Sequence, residues 1–233
     1  MTSTSVSRVR YPIMRQNWER LTFLHWRVRP RDMRPLVPSH LALDLFDGDA
    51  WVALTPFHLT GLRPPFVPPA PWISRFFEMN LRTYVRGPDG VPGIWFFTLE
   101  ASRLAAVAGA RLSFGLPYHW ARMRMRQRNS HIEFSSRRRL RPVRFHAVIH
   151  PGQPIALDEQ LHFLTYRFRL YTSIARRPAY ANVEHEPWPL QSATVVDLKQ
   201  NLTEHYGIRI EGKPLVHFSP GVHTIVGLPR FIR

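Results

Sequence analysis

The sequence predicts an α+β domain that is mostly antiparallel β, a barrel-like arrangement of many short strands with few helices. Three observations predict it. Segments 76–85 and 118–126 alternate side-chain character with a period of two. Asp-Gly, Gly-Pro-Asp-Gly and Ser-Pro-Gly steps punctuate the chain between apolar runs. Helical patterning is confined to a few short stretches. With 233 residues and 44% hydrophobic content the chain suits one large core, and 1–233 is read as a single domain.

In chain order, WERLTFLHWRV reads as a helix or an extended segment packed on the body, ending at Pro30, and a short turn of helix around DMRPLV follows. LALDLF and AWVALTPF flank Asp47-Gly48-Asp49, a hairpin signal because glycine takes the positive dihedral of a tight turn. Pro64, Pro65, Pro68, Pro69 and Pro71 remove too many amide donors for a helix or central strand, so 61–72 is a rigid loop suited to a pocket wall. FFEMNLRTYV (76–85) and GIWFFTLEAS, joined by GPDG at 87–90, read as a hairpin. Ser102 is placed to cap a helix through LAAVAGARL, which Gly115 ends in a left-handed conformation and Pro117 stops. The next strand begins at Tyr118 and His119, a strand mouth where binding chemistry commonly sits. HIEFSSRR and RFHAVIHP read as strands, DEQLHFLTYR as a helix capped by Asp158, and FRLYTSIA as a strand. A helix from Ser192 to His205 closed by Gly207, then a hairpin around Ser219-Pro220-Gly221, are expected to complete the chain.

Composition narrows the chemistry. There are no cysteines, which excludes disulfides, thiolate metal sites and thiol nucleophiles. The first residues lack a signal-peptide core and no run reaches the ~20 apolar residues of a membrane helix, so a cytoplasmic protein with no membrane partner is expected. The net charge of +16 comes from 32 basic residues, of which only Lys199 and Lys213 are lysine. They are scattered, with local concentrations at 122–128 and 137–144. A solvated basic strand face is the simpler reading; a phosphate-tracking surface through Arg122, Arg124 and Arg126 is the minor one, so a nucleic-acid partner is not expected.

Glu78, Asn80, Arg82 and Tyr84 fall on one face of the 76–85 strand. If that face lines a cavity, Glu78 is a general acid or base and Arg82 holds a carboxylate through its planar fork. Periodicity assigns the face to solvent as readily as to a cavity. Of twelve histidines, none shows HExxH spacing. His217 and His223 would meet across the last hairpin and His185 adjoins Glu184 and Glu186, a weak case, so no metal and no cofactor is expected. No phosphate loop or GxSxG elbow occurs.

The residues also carry a pattern. FLHWRV with Pro30, LALDLFDGDAWVALTPF, GLRPP, FFEMNLRTYV, ARLSFGLPYHWARM, PWPL and HFSPGV, spanning about residues 18–226, resemble the YqjF-like family of bacterial proteins, itself similar in fold to acetoacetate decarboxylase. The resemblance implies a barrel-like or cone-shaped sheet around a small, mostly apolar cavity, and a homo-oligomer built from dimers. Phe76-Phe77-Glu78 resembles the decarboxylases' aromatic-x-Glu motif, and Gly115-Leu116-Pro117-Tyr118 their Gly-Phe-Pro-Lys motif. In those enzymes that lysine forms a Schiff base with the ketone. Here the position is Tyr118, and neither Lys199 nor Lys213 falls in the motif.

Without an amine there is no iminium to act as electron sink, so ordinary acetoacetate decarboxylation is not expected. The expected function is a lysine-independent lyase, isomerase or hydratase acting on a small oxo or carboxylic acid, with Glu78 and Tyr118 catalytic and Arg82, His119 and Asn80 binding substrate. The alternative is a noncatalytic small-molecule binding protein that kept the cavity and lost the chemistry.

Overall fold

The computed structural model describes residues 9–232. Its frame is one thirteen-stranded sheet. β1 (Pro12–Val28) settles the open choice at the N-terminal side in favour of extended chain: Leu21 and Phe23 pack on one face while Leu24, Trp26 and Val28 pack on the other, as a strand buried on both sides requires. α1 (Pro30–Met33) begins on a proline whose missing amide costs nothing in a first turn. A 3-10 turn at Arg34–Leu36 leads to β2 (Ala42–Leu43) and β3 (Ala50–Arg63). Between them the Asp47-Gly48 turn forms, with φ of 54° and 79° and both backbone bonds exchanged between Phe46 and Asp49. Its first arm then diverges, and β2 pairs with β4 (Phe76–Arg86) instead of β3. The turn chemistry is right and the hairpin reading is corrected.

β3 pairs antiparallel with β1 and β4, and β4 forms the expected hairpin with β5 (Pro92–Ala101). α2 (Leu104–Phe114) then crosses over, so that β6 (Tyr118–Arg128) runs parallel to β5 with Leu99 opposite Tyr118. Gly115 sits at φ 62° as the left-handed cap, and a Cβ there would lie 2.2 Å from the Ser173 carbonyl oxygen. Ser102 does not cap α2. Its hydroxyl accepts the Phe77 amide at 3.0 Å, because the residue still belongs to the β4–β5 ladder.

β7 (His131–Arg138) and β8 (Arg144–Pro154) continue antiparallel, and the Asp158 carboxylate caps α3 (Glu159–Thr165) by accepting the Leu161 amide at 2.7 Å. β9 (Arg169–Ile174) runs parallel to β5 and antiparallel to β10 (Arg177–His185). Two expectations fail after this point. Most of the anticipated 192–205 helix is β11 (Gln191–Gln200), paired with β8; the branched run Thr194-Val195-Val196 suits a pleated strand, and only α4 (Leu202–His205) is helical. Ser219-Pro220-Gly221 does not reverse the chain, because β12 (Leu215–Gly227) runs through it beside β1. The pairs Glu19–Gly221 and Leu21–Ser219 bracket Arg20, at φ 51°, and the exposed Pro220, so the missing amide falls at a ladder irregularity. β13 (Arg230–Phe231) pairs with β10.

The β4–β5 and β10–β12 pairings close a ring of hydrogen-bonded strands in the order β10-β9-β5-β4-β3-β1-β12. Phe23, Phe57, Phe76 and Phe96 pack on one side of the shared strands, and Leu24, Leu54, Met79 and Phe134 on the other. The candidate site lies in the first of these two cores. Arg122, Arg124 and Arg126 are exposed, and Arg122, Arg137 and Arg144 form a cross-strand row on the outer sheet.

Candidate functional site

Alternation along β4 sends Phe77, Met79 and Leu81 to one core and Glu78, Asn80, Arg82 and Tyr84 to the other. Glu78 and Arg82 border a cavity of about 300 Å³, walled by β4, β5, the small residues of α2, and Trp188. Ile73, just past the proline-rich stretch, also lines it. Tyr118 reaches the cavity because α2 returns the chain beside β5. Its hydroxyl donates to Glu78 Oε2 at 2.9 Å across forty residues of sequence.

Burial controls this pair. Glu78 is 4% exposed, and loss of water pushes its carboxyl from 4.5 up to about 8 against the smaller, opposing effect of the Tyr118 hydrogen bond. Burial, followed by the adjacent Glu78, raises the Tyr118 phenol well above its ordinary value. At neutral pH the two are therefore a carboxylic acid and a phenol, both uncharged.

Three arginines share the cavity wall, and two are matched. Arg167 pairs with the buried Asp44 at 2.5 Å, and Arg169 with Asp89 at 2.5 Å. Arg82, 9% exposed, makes no salt bridge among the described residues. Its Nε has no hydrogen-bond partner, while the guanidinium hydrogen-bonds the Tyr84 side chain, a neutral phenol, and lies 5.5 Å from the Phe23 ring centre. A buried guanidinium in that state lacks the anion that would offset its desolvation.

The other two expected binding residues are placed differently. Asn80 is buried on the same strand face with its Oδ1 unpartnered, but it does not line the cavity. His119 is a correction: the alternation that turns Tyr118 inward turns His119 to the opposite side, opposite Glu100 in the ladder. There Glu100 and Arg138 form a buried ion pair joined by the Tyr206 hydroxyl. Burial, then Arg138 and Arg111, lower His119 to about 4.

Sequence reasoning missed Arg167, Arg169 and His185 as cavity residues. His185 is buried between aromatic rings, 4.8 Å from both Phe168 and Trp188, and burial lowers its pKa. His217 and His223 lie along one strand and do not meet across a turn; His217 neighbours His25, and His223 contacts Asn17 at 2.8 Å. No cluster of three or more potential metal ligands occurs among the described residues. Neither lysine lines the cavity: Lys199 is exposed and pairs with Asp197 at 3.2 Å, and Lys213 is exposed. No helix among the described residues is long and apolar enough to cross a membrane.

The family model DUF2071, described as an uncharacterized conserved protein, matches residues 15–223. The chain is 40% identical over 212 residues to the uncharacterized protein YqjF of Bacillus subtilis (strain 168), covering 89% of this chain and 87% of the relative. Among solved structures it is similar to acetoacetate decarboxylase from Legionella pneumophila, with a TM-score of 0.72 at 10% identity over 96% of this chain and 88% of that one. It is also similar to the enduracididine biosynthesis enzyme MppR in complex with pyruvate, with a TM-score of 0.67 at 11% identity over 97% and 93%. These structural likenesses establish the fold alone. By sequence, the chain belongs to the DUF2071 family that includes YqjF, built on the fold of acetoacetate decarboxylase.

Proposed function

We propose that the cavity binds an organic acid with its carboxylate against Arg82, and that Glu78 and Tyr118 move a proton at a carbonyl of that acid. The reaction class is a lysine-independent lyase, isomerase or hydratase. The observation that carries this reading is a buried, unpaired guanidinium in the same apolar cavity as a neutral carboxyl–phenol pair. An anionic group supplies what Arg82 lacks. A carboxyl poised at about 8 leaves a minor ionised fraction near neutrality, and in that form Glu78 takes the proton on the carbon beside the carbonyl and then returns it. Once Glu78 holds that proton it no longer needs the Tyr118 donor, and the Tyr118 hydroxyl turns its one hydrogen to the oxygen on which enolate charge develops. MppR, a fold relative, was obtained with pyruvate, an oxo acid.

The test is solvent exchange. With 6-oxoheptanoate, whose carbonyl lies well away from its carboxylate, in deuterium oxide, the proton NMR signals at the carbons next to the carbonyl are expected to fade faster with protein than without. Glu78→Gln and Tyr118→Phe are each expected to slow that exchange about 10²- to 10⁴-fold. The second reading, a noncatalytic binding protein, is favoured by one fact: Tyr118 stands where the decarboxylase motif has its lysine. Saturable binding of 6-oxoheptanoate with no exchange above the protein-free rate would establish that reading and remove the catalytic one.

A further inference from the structure

We infer that the acid taken by this cavity has a long apolar body: an amphipathic carboxylic acid of about ten non-hydrogen atoms, rather than a three- or four-carbon oxo acid. The inference rests on the proposed reading of Arg82 as the carboxylate site, and three features of the cavity carry it.

The first is size. About 300 Å³ holds about ten groups the size of a liquid water, each occupying about 30 Å³. A three- or four-carbon oxo acid would leave much of it as void, with the lining side chains short of contacts.

The second is lining. Outside the polar groups already described, the wall is Phe76, Ile94, Phe96, Leu99, Leu116 and Trp188, aromatic and aliphatic side chains that contribute to affinity only when an apolar group covers them. α2 turns Ala105, Ala106, Gly109, Ala110 and Ser113 toward the same space. A Cβ added at Gly109 would meet nothing within 4 Å. Ile73, which lines the cavity, is 48% exposed, an apolar approach to an apolar interior.

The third is separation. Glu78 and Arg82 lie four residues apart on one strand, about 13 Å between their Cα atoms. The influences on the Glu78 carboxyl are burial and Tyr118. The cavity therefore has two polar poles with apolar wall beside them, and a molecule that engages both is longer than acetoacetate.

The experiment is calorimetric titration of the full chain with straight-chain monocarboxylates from acetate to decanoate. Affinity is expected to tighten about fourfold per methylene until the cavity is full. In Gly109→Leu the added side chain occupies cavity space. Octanoate is then expected to weaken at least tenfold while propionate is unchanged. The melting temperature checks that this variant folds, and replacing a helical glycine favours the fold.

An affinity that does not vary with chain length, including no binding at any length, overturns the inference. So does a Gly109→Leu variant that binds octanoate as the wild type does. Arg82→Gln separates this inference from the reading beneath it. If affinity climbs with length and Arg82→Gln leaves it unchanged, the carboxylate assignment falls and the apolar site stands. If Arg82→Gln abolishes binding of a series that is flat with length, the carboxylate assignment stands and the long body falls.

Discussion

Glu78 and Arg82 face the same low-dielectric space and meet it differently. A carboxyl escapes the cost of burial by keeping its proton, whereas a guanidinium has no accessible neutral form. That difference gives a pH prediction. The unfolded chain ionises Glu78 from about pH 4.5, while the folded protein does so only near 8. Its favourable contribution is fully present below 4.5 and is lost as pH rises across that window, by an amount on the order of several kcal/mol. Urea denaturation of wild type and Glu78→Gln at pH 5, 7 and 9 should show the variant gaining on the wild type as pH rises. A constant difference would contradict the raised pKa. Alternation alone put Glu78 and Arg82 on one face, so that much was legible in the sequence. Both Tyr118 and His119 stand at the strand mouth as the sequence predicts, and the same alternation turns only Tyr118 to the cavity. The Arg167–Asp44 pair spans 123 residues and left no local trace.

At the scale of elements, the corner from α2 into β6 brings Tyr118 to Glu78. Gly115 makes that corner possible, because its left-handed φ and the nearby Ser173 carbonyl oxygen both exclude a Cβ. Gly115→Ala is expected to lower stability by about 2 kcal/mol or more. Gly48→Ala, at φ 79° with nothing within 4 Å of the added Cβ, should cost about 1 kcal/mol, from backbone conformation alone. Equal losses in denaturant midpoint would show that the Ser173 contact does not matter. The Gly115 corner was readable because helix termination is local chemistry. The fates of β11 and β12 were not. Gly207 and Ser-Pro-Gly are genuine stop and turn signals, yet pairing with β8 and β1 overrode them, and a strand irregularity can absorb a proline that elsewhere would start a hairpin. Likewise the Asp47-Gly48 turn formed as its residues require, while the choice of β4 as partner for β2 was made by the sheet.

Across the whole molecule, the ring of strand pairings gives the shared strands two buried faces, and the cavity of the candidate site opens on one of them. The face filled by Leu24, Leu54, Met79 and Phe134 supplies packing, so the opposite face can hold an unpaired charge and empty volume at some loss of stability. The proposed function rests on this arrangement: the fold gives Arg82 no ion-pair partner among the described residues, and the proposal fills that place with an organic acid. Thermal melting of wild type and Arg82→Met, each with and without hexanoate, tests it most directly. Removing an uncompensated buried charge should raise the melting temperature of the ligand-free protein by several degrees. Hexanoate should raise the wild type further, by mass action on the folded state, and leave Arg82→Met unmoved. An Arg82→Met protein that melts lower than wild type and is still stabilised by hexanoate would contradict the account.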